Sequence, residues 1–243
     1  MTKSERFSWF QFSSPQTFYP LAGALHSWFA AAATLLCVAG LYVSFFVAPT
    51  DAQQGEAYRI IFIHVPAAWM SMFLYLVMGF WCGVGLVLNT RLSSMVATAI
   101  APTGALFTFI ALWTGALWGK PTWGTWWVWD ARLTSELILL FLYIGFMALQ
   151  AAIDDPRRAD KAGAVLALVG VINIPIIYFS VQWWSTLHQG ASVSMKSAPS
   201  MATTMLLGML IMALGFWMYS IAAVLARVRS VILERERHSA WVM

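Results

Sequence analysis

From Trp118 to Arg132 the chain reads Trp118-Gly119-Lys120-Pro121-Thr122-Trp123-Gly124-Thr125-Trp126-Trp127-Val128-Trp129-Asp130-Ala131-Arg132, five tryptophans in one short stretch. Indole is broad, flat and apolar with a single N–H donor, so a cluster of this kind suits a large, flat, apolar ligand. A belt of tryptophans at the headgroup level is the competing use. A belt, however, is spread over many helix ends and needs neither Gly119 and Gly124 nor the closing pair Asp130 and Arg132. Four histidines are present, and two flank this stretch in the chain: His64, in Arg59-Ile60-Ile61-Phe62-Ile63-His64-Val65-Pro66, and His188, in Trp183-Trp184-Ser185-Thr186-Leu187-His188-Gln189-Gly190.

A single histidine at a membrane interface packs or hydrogen-bonds more often than it ligates. Two neutral imidazoles beside an indole platform read differently. They suit the axial positions of a haem iron, the tryptophans suit the faces and edges of the macrocycle, and the cations Arg59, Lys120 and Arg132 suit carboxylates such as propionates. Zinc is the competing use of the two histidines, although the usual third ligand at close spacing is missing. Asp130 also has a purely structural reading, as a cap that accepts free amide hydrogens of the helix after it. Arg132 and Glu136, four residues apart, are expected to pair along that helix. His26 is expected to open the first helix and His238 sits in a basic tail, both as surface residues.

The elements that position these side chains follow from hydropathy. Of the 243 residues 60% are hydrophobic and 10% charged, too apolar a chain to hide its surface in water. Six apolar runs, near 24–48, 66–88, 95–117, 134–152, 162–182 and 202–225, have the length that lets a helix cross a hydrocarbon core of roughly 30 Å. They lack the alternation of a membrane barrel, so the fold class is all-α, an integral membrane protein of six transmembrane helices. So little chain lies outside the runs that residues 1–243 read as a single polytopic domain. The first run is too long for a signal-peptide core and is expected to remain as a helix.

Basic residues orient the bundle. One set of alternate connections and tails holds Lys3, Arg6, Arg91, Arg157, Arg158, Lys161, Arg227, Arg229, Arg235 and Arg237, the other only Arg59, Lys120, Arg132 and Lys196. The positive-inside rule then places both termini in the cytoplasm and both His64 and His188, with the Trp-rich segment 118–132, on the outer face. The formal charge of +4 is an orientation signal and calls for no nucleic-acid partner. Pro66 suits the opening turn of the second helix. Gly119, Pro121 and Gly124 oppose a helix, so the chain is expected to loop there and to form a short interfacial helix from Trp123. Trp123, Trp126, Trp127 and Asp130 would then share a face.

Cys37 and Cys82 fall inside apolar runs and in no Cys-x-x-Cys pattern, which makes them packing residues and excludes covalent haem attachment or a redox dithiol. No nucleotide-binding loop occurs, so a nucleotide-driven step belongs to a partner chain. Gly79 and Gly83 allow close approach of a neighbouring helix within the molecule. Asn173 with Pro175 predicts a kink with a satisfied amide in the fifth span.

The run from Trp118 to Arg132 resembles the tryptophan-rich "WWD" signature of haem-handling membrane proteins, with His64 and His188 matching the histidine pair of that superfamily. Length, six helices and the two histidine strings resemble its CcmC family, across nearly the whole chain except the amino-terminal tail. The resemblance implies haem b held by His64 and His188 as axial ligands, with Trp118, Trp123, Trp126, Trp127, Trp129, Asp130, Arg59 and Arg132 around it and no catalytic residue. It also implies partners in the bacterial inner membrane: the haem chaperone CcmE, the ATPase CcmA, the membrane subunit CcmB and the single-helix protein CcmD. Two other functions stay open, a subunit that itself moves haem across the bilayer and a membrane haem electron carrier.

Overall fold

A computed structural model of the protein describes residues 13–184, 186–188, 190, 193 and 200–242. Lys3, Arg6, Lys196, Ser185 and Gln189 of the sequence readings lie outside the described residues. The elements are α1 (Pro15–Tyr42), a π turn (Val43–Val47), a 3-10 turn (Glu56–Ile60), α2 (Ile61–Leu88), α3 (Arg91–Trp123), α4 (Ala131–Ala152), α5 (Pro156–Gly170), α6 (Asn173–Trp183) and α7 (Thr203–Arg235). No strand occurs among the described residues beyond one isolated bridge between Asp51 and Gly55. Six spans are long and apolar enough to cross a membrane, α5 and α6 together forming the fifth. The chain is a multi-pass α-helical membrane protein.

Local sequence explains most boundaries. Ser14, Asp130 and Asp155 cap α1, α4 and α5, each accepting a backbone N–H from three residues on, and Pro15 and Pro156 occupy first-turn positions where no N–H is needed. Asn89 (φ 53°) and Gly124 (φ 77°) end α2 and α3 in the left-handed conformation that their types tolerate. Several helices outrun the apolar segments. With 33 residues, α7 is about 50 Å long at about 1.5 Å per residue, so its final turns project beyond the hydrocarbon. Charged residues there do not end the helix; they only leave the lipid.

Three readings of helix placement need correcting. Pro66 lies inside α2, whose helix starts at Ile61 behind a 3-10 turn, because the missing N–H of a proline is tolerated in the second turn when the neighbours are packed. His26 lies well inside α1, which begins at Pro15, and its Nδ1 is 3.0 Å from the Ala222 carbonyl on α7. The interfacial helix expected from Trp123 does not exist. Residues Trp118 to Trp123 complete α3 through Gly119 and Pro121, and Gly124 ends the helix where one was expected to begin.

The core gathers α2, α3, α4 and the α5–α6 span around Tyr75, Tyr143, Phe107, Leu139 and Ile177. Tyr143 stacks edge-on against Tyr75 at 5.0 Å and donates its hydroxyl to the Ser71 carbonyl at 2.8 Å. Room for its ring exists because residue 104 is glycine: a Cβ there would stand 2.1 Å from Tyr143 Cζ. Gly79 and Gly83 face Val171 and Leu168, so this step packs within the molecule as expected. The fifth span breaks at Val171–Ile172, and buried Asn173 donates its amide to the Ser135 carbonyl at 2.9 Å, the satisfied kink that Pro175 foretold.

Arg132 and Glu136 form no ion pair. Glu136 is buried and accepts from the Ser71 hydroxyl at 2.8 Å, while Arg132 donates to the Ile177 carbonyl at 3.2 Å. Each found a partner on a neighbouring helix, which a pairing argument confined to one helix cannot weigh.

Candidate functional site

Helix parity sorts the connections onto two ends of the bundle, and contacts between them bear out that sorting. At one end Arg91 pairs with Glu236 at 2.7 Å, and Arg235 holds both oxygens of Asp160 at 2.9 and 3.0 Å. These bonds join the α2–α3 turn, the start of α5 and the end of α7. The other end gathers the loop before α2, the end of α3, the start of α4 and the segment after α6.

On that second end His64 and His188 meet. Their ring centroids are 6.3 Å apart and their planes 30° from parallel. His64 stands in the first turn of α2, where its Nδ1 lies 3.0 Å from the Thr114 hydroxyl on α3. One residue on, Gly115 leaves space for the imidazole: a Cβ there would be 3.2 Å from His64 Cε1. His188 follows α6, and its backbone N–H donates to Thr186 Oγ1 at 2.9 Å.

The last two turns of α3 supply the indoles nearest the pair. Trp118 and Trp123 pack edge to face at 5.1 Å, and their rings lie 6.4 and 6.2 Å from His188. Both stand near the end of a helix that Gly124 closes, and both rings reach the same imidazole. The indole N–H of Trp118 donates to Gln54 Oε1 at 2.8 Å, and Asp51 holds that loop by accepting the N–H groups of Gln53 and Gln54.

The rest of the Trp-rich stretch is extended, not helical. Trp127 and Trp129 pack edge to face at 5.4 Å, with Trp126 and Trp129 largely exposed. Asp130 caps α4 through one oxygen, to Leu133 N at 2.8 Å, and its other oxygen together with Trp127 Nε1 is buried without a hydrogen-bond partner among the described residues. A buried donor or acceptor left unpaired costs on the order of 1–3 kcal/mol. Such atoms mark a place where something polar can still be gained.

The cations behave unequally. Arg132 is half-buried beside this segment with a single backbone partner. Arg59 is committed to structure: it pairs with Glu56, donates to the Ser44 carbonyl at 2.5 Å and lies over the Tyr58 ring, tying off the π turn. Lys120 donates forward to the Gly124 carbonyl at 3.1 Å and is exposed. No group of three or more histidine, cysteine or acidic side chains suited to a metal ion occurs among the described residues. Thr114, Gly115 and Gln54 were not singled out by the sequence. Each is an ordinary helix or loop residue until the fold sets it against His64 or Trp118.

These features define a class, six-span membrane proteins with a histidine pair under a tryptophan-rich loop at one end of the bundle. The chain belongs to the CcmC family, described as heme exporter protein C, whose profile matches residues 8–243. Heme exporter protein C of Escherichia coli K12 is 46% identical over 233 residues, covering 96% of this chain and 94% of that protein. The Bradyrhizobium diazoefficiens protein of the same name is 49% identical over 231 residues, covering 95% and 88%. A Marchantia polymorpha protein named as ccmC-like and mitochondrial, for cytochrome c biosynthesis, is 44% identical over 198 residues, covering 82% and 84%.

Proposed function

We propose that this protein handles haem during maturation of c-type cytochromes, binding haem b at the periplasmic face of the bacterial inner membrane and presenting it for covalent attachment to the chaperone CcmE. The family and the names of its relatives support the haem and cytochrome parts of the reading. Haem is cargo here. The complex with CcmA, CcmB and CcmD rests on the family resemblance and on the absence of a nucleotide loop in this chain.

The observation that carries the reading is the spacing of the histidines. A metal–imidazole bond is about 2.0 Å, so one iron between two imidazoles needs ring centroids about 6 Å apart. His64 and His188 stand at 6.3 Å. Around them, Trp118 and Trp123 supply apolar contact. The unpaired Trp127 Nε1–H and the half-buried Arg132 supply donors for carboxylates of the kind a haem carries. His64 and His188 hold the iron, the indoles exclude water from the macrocycle, and the exposure of Trp126 and Trp129 leaves one side of the cargo open to a partner.

Translocation through this chain has less to support it. The space among α2, α3, α4 and the fifth span is filled by Tyr75, Tyr143, Phe107 and Leu139, each 2% exposed or less. The test is a haem titration of purified protein followed by absorption spectroscopy, beside detection of covalently loaded chaperone in cells. Low-spin haem lost in the double variant His64→Gly/His188→Gly, together with lost chaperone loading, is the expected result. Wild-type affinity and loading in that variant would overturn the reading.

A further inference from the structure

Thr114 is 8% exposed on α3, and its hydroxyl oxygen stands 2.6 Å from the Ile110 carbonyl, 3.3 Å from the Ala111 carbonyl and 3.0 Å from His64 Nδ1. A hydroxyl has one hydrogen to give, and a carbonyl can only accept. The Ile110 carbonyl, one helical turn back and the shortest of the three contacts at 2.6 Å, takes that hydrogen. What remains toward His64 is a lone pair. The hydrogen of the 3.0 Å contact is therefore on the histidine, and a neutral imidazole with its hydrogen on Nδ1 has its free lone pair on Nε2.

The ring's orientation agrees. The position where residue 115 would carry a Cβ is 3.2 Å from His64 Cε1 and 3.7 Å from Nδ1, so the Nδ1–Cε1 edge lies against α3 and the edge carrying Nε2 is turned away from that helix. We propose that Thr114 is the positioning residue of the histidine pair: the chain from His64 Nδ1–H through Thr114 Oγ to the Ile110 carbonyl fixes the His64 tautomer and makes Nε2 the ligating atom. Hydrogen bonds in series polarise one another, so the chain also raises the electron density that Nε2 offers a metal. Thr114 holds the ring of His64, and Thr186 accepts the backbone N–H of His188.

The tautomer stands or falls without haem; its use in ligation rests on the haem reading above. The first measurement is nitrogen NMR of histidine-labelled, haem-free protein, with His64 assigned by its absence in His64→Gln. The wild type and Thr114→Ser are expected to show a protonated Nδ1 and an unprotonated Nε2, and Thr114→Val is expected to lose that preference. The second is haem titration of the same proteins. Thr114→Val should weaken haem about 10–100-fold, the usual cost of losing such an outer partner, and shift the low-spin bands. Thr114→Ser should restore both, with helicity by circular dichroism unchanged in all three.

A hydrogen on Nε2 in the haem-free wild type, or Thr114→Val with wild-type tautomer and affinity, would overturn the inference. Should Thr114→Val fail to fold, the tautomer in wild type and Thr114→Ser still decides it. A protonated Nδ1 in a wild type that binds no haem leaves the positioning role standing and removes the haem reading instead.

Discussion

The proposed function gives His64 and His188 a different task from the indoles beside them, and substitutions separate the two. In the proposed site each histidine ligates the iron, so replacing either by glycine is expected to change the coordination of bound haem, with added imidazole partly refilling the vacancy. Trp123→Ala, Trp127→Ala and Asp130→Ala are expected to keep a recognisable two-histidine spectrum while each lost indole contact weakens haem by about 1–2 kcal/mol. Chaperone loading should fall further than binding does in these variants, because presentation depends on orientation as well as affinity. Absorption spectra of purified variants, read beside loaded chaperone, check both parts. Histidine variants that kept low-spin spectra while a tryptophan variant lost them would reverse the assignment. Gly115 offers a subtler probe. A methyl there would press on His64 Cε1 from 3.2 Å, so Gly115→Ala is expected to disturb the spectrum with all ligating and aromatic side chains intact.

At the scale of elements, the site depends on how two segments are tied to helix ends. Gln54 fastens the loop before α2 to Trp118 by a 2.8 Å bond, and Asp130 fixes the start of α4 by capping it. Gln54→Leu is expected to cost about 1 kcal/mol, and to loosen Trp118, read as a faster haem off-rate with unchanged spectrum. Asp130→Ala should lower stability by about 1 kcal/mol through the cap, and Asp130→Asn should recover most of it, measured by thermal unfolding in detergent. Six spans were legible in the chain because burial in lipid demands long apolar runs. Their ends were not, because a helix such as α7 continues past the hydrocarbon into charged sequence. The turn at Trp123 was misread for a related reason: Gly119 and Pro121 weaken a helix, but in the final turns before Gly124 few hydrogen bonds remain to be lost. The grouping of His64 and His188 with Trp118 and Trp123 at one end of the bundle was legible from residue type and helix parity. Thr114, Gly115 and Gln54 were not, since their roles arise from register between helices, and Arg132 and Glu136 were mispaired for want of the same information.

The whole molecule places its two ends under different chemistry. One end holds Arg91, Arg235, Asp160 and Glu236 in ion pairs linking three connections, with Arg157, Arg158 and Lys161 at the start of α5 and Arg237 just past α7. The other carries the histidine pair and the tryptophans, with Arg59 and Lys120 bound to the protein's own carbonyls. This asymmetry has consequences for insertion as well as function. Under the proposed orientation the end rich in Lys and Arg stays in the cytoplasm, and the tryptophans sit at the opposite interface, where indole is favoured. An ATPase partner working from the cytoplasm would then lie across the full bundle from the cargo, so the purified chain alone should hydrolyse no ATP, checked by phosphate release. The orientation itself is open to a direct measurement. Reporters fused after His64, near Gly124 or after Gly190 are expected to be active only in the periplasm, and those near Arg91, Arg158 or Arg237 only in the cytoplasm. Because both sets depend on one choice of orientation for the bundle, they must all agree or all reverse. A Trp-rich segment reporting from the cytoplasm would leave the histidine site intact but facing the wrong compartment, and presentation to a periplasmic chaperone could not be its function.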